Sequence, residues 1–388
     1  MPHLHHSICW VASLVTAAAA LLPPDCQTTA PTQEALDVRT ANLSVPSFPF
    51  GLAYASNSIA FSSLTTGIIG VLNTSNFEPT LIRTITIPAP YYETGYAISG
   101  IAITRDKRTL YATVGQGAVA IDVQKAVSGE ANSIVGFLNG TVGISAVEVT
   151  LSADDKYAFV SQEYGNVATR NLGAIEVFGI DQSINGSISS TYVGYIALGD
   201  AVVGMALSAD GSKLYATSEQ VGTVNTPQGT LSVLDVETLK TNPSDALLAS
   251  FDAGCSPVRI AVSQNGEHVW VTARESNMLL AFDAAKLNSN PANSTTAIVA
   301  SVQVGTSPVG VVFVNHGKHI ITADSNRFDY TNTPSGLTVV DVEGKQGFPS
   351  IPTGEFPREF AVSPDNKTLL VSQYGSQAIQ VVDLFSLA

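Results

Sequence analysis

RIAVSQNGEHVWVTARESNMLLAFDA, residues 259–284, carries three apolar runs of period-two character, broken first at Asn265-Gly266 and then by the polar run Arg274 to Asn277. Alternation sends successive side chains to opposite faces of a strand, and Asn-Gly supplies the positive φ values of a tight hairpin turn. The stretch predicts a three-stranded antiparallel meander. The same grammar returns in GIAITRDKRTLYATVGQGAVAIDV from Gly100, VTLSADDKYAFVSQEYG from Val149, GMALSADGSKLYATSEQ from Gly204 and FAVSPDNKTLLVSQYGSQAIQVVDL from Phe360. The chain is an internal repeat.

Units begin near Phe50, Ser99, Val147, Val203, Val258, Val309 and Arg358, seven in all. A spacing of about 50 residues suits a four-stranded blade. Fourth strands are expected at Thr80 to Pro88, Thr191 to Leu198, Leu247 to Phe251 and Ile298 to Val304. The expected fold is therefore all-β, a seven-bladed β-propeller of four-stranded antiparallel blades. The last unit has three strands and an uncovered edge, which a sheet protein must cover. ALDVRTANLSV, residues 35–45, has no hairpin partner of its own and is expected to close the ring as the outer strand of the last blade.

The 388 residues are 45% hydrophobic and 13% charged, enough apolar material for a large core. A formal charge of -14 repels phosphate backbones and offers no polybasic patch to anionic lipid, so nucleic acid is excluded as a partner class. Residues 1–20 read as a signal peptide: an apolar run from Ile8 to Leu22 with a small-x-small site at Ala18 to Ala20, although His3, His5 and His6 stand where Lys or Arg is usual. The run is shorter than the ~20 residues that span a bilayer. No membrane partner is expected once the leader is removed. Residues 21–34 read as a linker and 35–388 as one propeller domain.

Six Asn-x-Ser/Thr sequons, at Asn42, Asn73, Asn139, Asn185, Asn293 and Asn366, fit a glycosylated protein of the secretory pathway or the extracellular space. Cys9 leaves with the leader. Cys26 and Cys255 remain, either as a disulfide in an oxidising compartment or as two free thiols.

The recurring SADGSKLYATSE…GTLSVLDV and SPDNKTLLVSQYGSQAIQVVDL resemble YVTN-type propeller repeats, similar to the seven-bladed lactonase and carboxymuconate-cyclase-like superfamily. The likeness covers everything after Ala35. With the leader and sequons, the chain also resembles secreted fungal propellers of natural-product pathways, among them the hetero-Diels–Alderases of tropolonic sesquiterpenoid biosynthesis. The resemblance implies a secondary-metabolic enzyme that works on a small molecule without a cofactor.

Within an antiparallel blade, the start of the first strand and the end of the second share one rim. First-strand starts hold Gly51, Gly100, Glu148, Gly204, Arg259, Gly310 and Glu359, with Arg358 just before the last. Second-strand ends hold Glu163 and Tyr164, Glu219, Arg274 and Glu275, Asp324 and Arg327, and Gln373 with Tyr374. These residues are expected to converge on the mouth of a central channel, left open where the first two units carry glycine. Arg259, Arg274, Arg358 and Arg327 suit an anionic or enolised oxygen, and Glu163, Glu219 or Glu148 suit proton exchange. Tyr164, Tyr374 and Phe328 offer apolar walls. The same charges also suit Arg–Glu pairs that lock neighbouring blades.

His268, His316 and His319 fall at the opposite rim, which differs from propeller cyclases that use a histidine. No nucleotide-binding glycine loop and no Gly-x-Ser-x-Gly elbow occurs, and turns such as Asp154-Asp155 and Asp210-Gly211 fit hairpins better than calcium loops. No cofactor and no metal are expected for the leading reading, a cofactor-free enzyme of dehydration, isomerisation or cycloaddition. A lactonase with a divalent metal on Glu163, Glu219 and Asp324 is one alternative. A non-catalytic secreted or cell-surface binding propeller is the other.

Overall fold

The computed structural model describes residues 21–26, 28–89, 97–221, 228–289, 297–327 and 334–387. The leader, the sequon at Asn293 and Phe328 lie outside the described residues. The fold is all-β, with three short helices, Val123–Ser128, Val236–Leu239 and Ala284–Ser289, among the described residues. None of these is long and apolar enough to cross a membrane.

The opening stretch forms the expected meander: β18 (Pro257–Val262), β19 (His268–Ala273) and β20 (Met278–Asp283), antiparallel in that order. Its turn is fixed by side chains as well as by Gly266, whose φ is 71°. Ser263 donates to Asn265 Oδ1 (2.7 Å) and accepts from the His268 N–H (2.9 Å). The same device recurs at Thr104 with Asp106, Ser152 with Asp154, Ser208 with Asp210 and Ser363 with Asp365. These acidic turns thus spend their carboxylates on their own hairpins.

Strands assemble into five four-stranded antiparallel sheets and one eight-stranded sheet. In the larger sheet, β6 (Ile101–Ile103) to β9 (Ile134–Leu138) and β10 (Ala146–Leu151) to β13 (Ile188–Ala197) are each antiparallel runs. They meet through a single parallel pairing of Gly136 with Ile188. The expected blades therefore do not appear sheet for sheet, because two of them touch along their outer strands. The fourth strands expected at 80–88, 191–198, 247–251 and 298–304 are observed at Thr80–Thr86, Ile188–Ala197, Leu247–Cys255 and Ile298–Gln303.

The first strands of all units touch their neighbours in sequence: β2 (Pro49–Ser56), β6, β10, β14 (Asp200–Leu207), β18, β22 (Pro308–Val314), β26 (Pro357–Val362), and back to β2. Apolar faces fill the space between sheets, as where Leu231, Val233 and Phe251 pack on Val269, Val271 and Phe282. At one matched second-strand position six of the seven units bury a hydroxyl, Ser63, Thr113, Ser161, Thr217, Thr272 and Ser372, and the sixth unit has Ala323. Thr272 accepts from the Arg259 N–H (3.0 Å) and donates to the Val309 carbonyl of the next unit (2.8 Å). Thr217 likewise donates to Val258 (2.7 Å). These hydroxyls satisfy backbone groups that bulges in the first strands leave unpaired.

β1 (Thr40–Ser44) pairs antiparallel with β28 (Ala378–Asp383), Thr40 opposite Val382 and Ser44 opposite Ala378, so the segment expected to close the last unit does so. The preceding residues, read as a linker, are bound to the ring. Asn277 donates to the Thr28 carbonyl, Gln33 bonds to Thr338 (2.9 Å), and Glu34 and Leu36 bracket Ser350. Cys26 is joined to Cys255 with their Cα atoms 5.4 Å apart.

Candidate functional site

At the matched position that begins the units, Phe50, Val147, Val203, Val258 and Val309 form one apolar cluster with Ala201, Phe356 and Tyr374, while the second unit has the buried Ser99. The seventh unit breaks the pattern by placing Arg358 there. Its guanidinium lies 3.9 Å from the Phe50 ring centroid, 5.0 Å from that of Phe356 and 5.5 Å from that of Tyr374. Tyr374 also stacks on Phe48, centroids 5.1 Å apart.

Aromatic faces compensate the positive charge of a guanidinium but accept none of its N–H groups in the plane. Among the described residues Arg358 makes no hydrogen bond or ion pair, and its Nε is buried without a partner. Burial lowers its pKa to about 10, with Arg259 and Arg327 pushing the same way against Glu359, so it stays charged at neutral pH. A bulky residue with positive φ also marks this place: Phe356 has φ 50°, in the entry turn that Ser256 and Ser307 make in their units. Such backbone costs on the order of 1–3 kcal/mol and persists where surrounding structure imposes it.

Two of the other arginines named from the sequence, Arg259 and Arg274, are held in ion pairs. Arg259 is 6% exposed; its Nε and Nη2 reach Glu359 Oε1 at 2.9 and 2.7 Å, and Nη1 donates to the Val203 carbonyl. This pair joins the fifth and seventh units past the intervening sixth. Glu148, from the third unit, accepts the Met205 N–H (2.9 Å). Burial raises the Glu148 pKa to about 7, opposed by Arg259 and reinforced by Glu359. Arg274 forks onto Glu219 at 2.9 and 2.8 Å, locking the fourth unit to the fifth. The ion-pair alternative thus accounts for these two arginines.

Glu163 is half-buried next to Tyr164. Its pKa is raised by burial and by Glu219, against a hydrogen bond from Tyr164 and the fields of Arg358 and Arg327. Burial and Glu163 together push the Tyr164 hydroxyl up to about 12. Arg327 is exposed, its guanidinium 5.4 Å from the Phe356 centroid, and Glu275 is half-buried.

Two expected rim residues are engaged apart from these charges. Asp324 accepts from Thr322 (2.9 Å), the Thr338 N–H (3.0 Å) and the Thr338 hydroxyl (2.5 Å), inside its own sheet. Gln373 donates to Thr353 Oγ1 (2.9 Å). Both end their second strands, and their polar atoms are spent on Thr322, Thr338 and Thr353. Among the described residues no three His, Cys, Asp or Glu side chains group as a metal site, so the Glu163, Glu219 and Asp324 set is not assembled. The glycines have a steric cause. A Cβ on Gly51 would stand 2.8 Å from the Ser99 carbonyl oxygen, and one on Gly100 2.6 Å from that of Val147, so the glycines of the first two units reflect close-packed first strands rather than an opening.

Phe50, Phe356 and Phe48 are the functional candidates the sequence reading did not rank. Their signal was present as the one charged residue, Arg358, at an aligned position that is apolar in every other unit but the second, which has Ser99. Away from the mouth, a cleft of about 450 Å³ lies between the first and last units. Exposed sequons occupy Asn42, Asn139 and Asn185, with Asn73 and Asn366 half-buried.

No protein-family model and no curated protein matches the chain. Among solved structures, the hydrazine synthase of Kuenenia stuttgartiensis is similar over 88% of this chain and 97% of that chain, with a TM-score of 0.64 and 14% identity. At that identity the likeness is one of fold. It supports a β-propeller-like all-β architecture and carries no chemistry across.

Proposed function

We propose that the chain is a secreted, glycosylated seven-bladed propeller of the YVTN type. In this reading the eight-stranded sheet counts as two blades, and the closed cycle of first strands supports the count. We further propose that it is a cofactor-independent enzyme of fungal secondary metabolism, related in action to the hetero-Diels–Alderases. Its substrate would be a small, flat molecule with a polarisable oxygen.

The observation that carries this reading is Arg358, charged, boxed by Phe50, Phe356 and Tyr374, and with N–H groups unspent among the described residues. An enone or enolate oxygen arriving there accepts those donors, while the rings hold a conjugated plane. Polarising the oxygen lowers the barrier to cycloaddition or isomerisation by electrostatics and orientation alone. Glu163, with its raised pKa, is the group suited to carry a proton. The Arg259–Glu359 pair forms the floor of the mouth.

The test compares metabolites from the source organism with the gene intact, deleted, and restored as Arg358→Met. A precursor should accumulate on deletion and persist with the variant. The purified variant should melt no lower than wild type, since Met relieves a buried unpaired charge. Full restoration by Arg358→Met would overturn the role. The Arg259–Glu359 and Arg274–Glu219 pairs favour the second reading, a non-catalytic binding propeller, and identical profiles in all three strains would select it. The lactonase reading lacks its third carboxylate at the mouth, because Asp324 is engaged elsewhere.

A further inference from the structure

The cleft between the first and last units lies apart from the Arg358 site, and its glycan arm rests on the secreted, glycosylated reading given above. Tyr54, Asn57, Asn76 and Phe77 line it from the first unit, Asp365 and Lys367 from the last. The seam behind it is fastened by the Tyr54 hydroxyl with that of Thr368 (3.0 Å) and by the Asp365 N–H donating to Asn57 (3.1 Å). Asp365 and Lys367 lie 3.4 Å apart and offset one another's charge within the lining. Its amides and hydroxyls both donate and accept, and Pro79 adds an apolar surface beside Phe77, one face of whose ring is covered by the Arg39 guanidinium at 4.1 Å. That combination matches a neutral ring rich in hydroxyl and acetamido groups, with C–H bonds on one face.

One source of such a ring is bonded next door. Asn73 ends the strand Ile68–Asn73, and Thr74 and Ser75, the other two residues of its sequon, line the cleft. Asn73 Oδ1 accepts the Ser75 N–H (2.9 Å), a bond that leaves the amide nitrogen for glycosylation. We propose that this cleft is a binding site for an N-acetylhexosamine ring, filled either by the first sugars of a glycan on Asn73 or by a free oligosaccharide.

The experiment uses the full chain secreted from a glycosylating host, with N,N′-diacetylchitobiose as the free probe. If the chain's own glycan fills the cleft, an endoglycosidase should release it from folded protein at least tenfold more slowly at Asn73 than at Asn139 or Asn185. Asn76→Trp, which fills the cleft, should abolish that difference. If a free sugar is the occupant, chitobiose should bind wild type saturably by calorimetry, and Asn76→Trp should weaken binding at least tenfold. Unprotected or missing sugar at Asn73, together with no saturable chitobiose binding to wild type or to Asn73→Gln, overturns the proposal.

Discussion

Glu148 shows how a side chain in this ring responds to its surroundings. Its carboxyl has a pKa of about 7 in the fold against 4.5 for the free group, the main cause being burial. Between those values the folded state holds the proton and the unfolded state releases it, so stability is fully present below about pH 4.5 and lost as pH rises through about 7. Asp324, raised from 3.8 to about 7, acts in the same direction. Glu148→Gln keeps an acceptor for the Met205 N–H and removes one of the two titrations. Urea midpoints at pH 5 and pH 8 should therefore fall less for the variant than for wild type. An equal fall in both would mean that Glu148 is already charged in the fold.

At the scale of elements, the buried second-strand hydroxyls of Ser63, Thr217 and Thr272 fasten one unit to the next. Thr272→Val preserves shape while leaving the Arg259 N–H and the Val309 carbonyl without their partner. A buried unsatisfied pair costs about 1–3 kcal/mol, to be read as a lower urea midpoint with an unchanged slope. A stability within error of wild type would show that water or a backbone shift replaces the hydroxyl. Strand order was legible because period-two runs and Ser-x-Asp or Ser-x-Asn turns are local signals. The side-chain directions at the rim were less so. Asp324 and Arg274 both lie at the ends of second strands, yet one bonds inside its sheet and the other to the neighbouring unit. A one-residue difference at a strand end reverses the facing side, and no local pattern marks it. Arg358 was legible as a charge in an apolar column, whereas its aromatic box required tertiary structure to bring Phe50 and Phe356 beside it.

Across the whole molecule, ring closure rests on two connections of different kinds. The Cys26–Cys255 bond spans 229 residues and stabilises mainly by restricting the unfolded chain. β1 acts in the folded state: it covers the edge of β28, while neighbouring Val38 and Val45 are buried against the sixth, seventh and first units. Losing the disulfide leaves these contacts in place; losing β1 exposes a row of backbone donors and acceptors along β28 together with the apolar surface beneath it. Cys26→Ala with Cys255→Ala should therefore cost about 2–5 kcal/mol and leave a soluble chain of unchanged elution volume. Deleting residues 21–45 should cost more and yield self-associated material, because an open edge recruits a strand from another copy. Size-exclusion chromatography and urea unfolding of the two proteins distinguish these effects. A deletion variant that elutes as wild type and unfolds at the midpoint of the double-alanine protein would show that the ring holds without its closing strand.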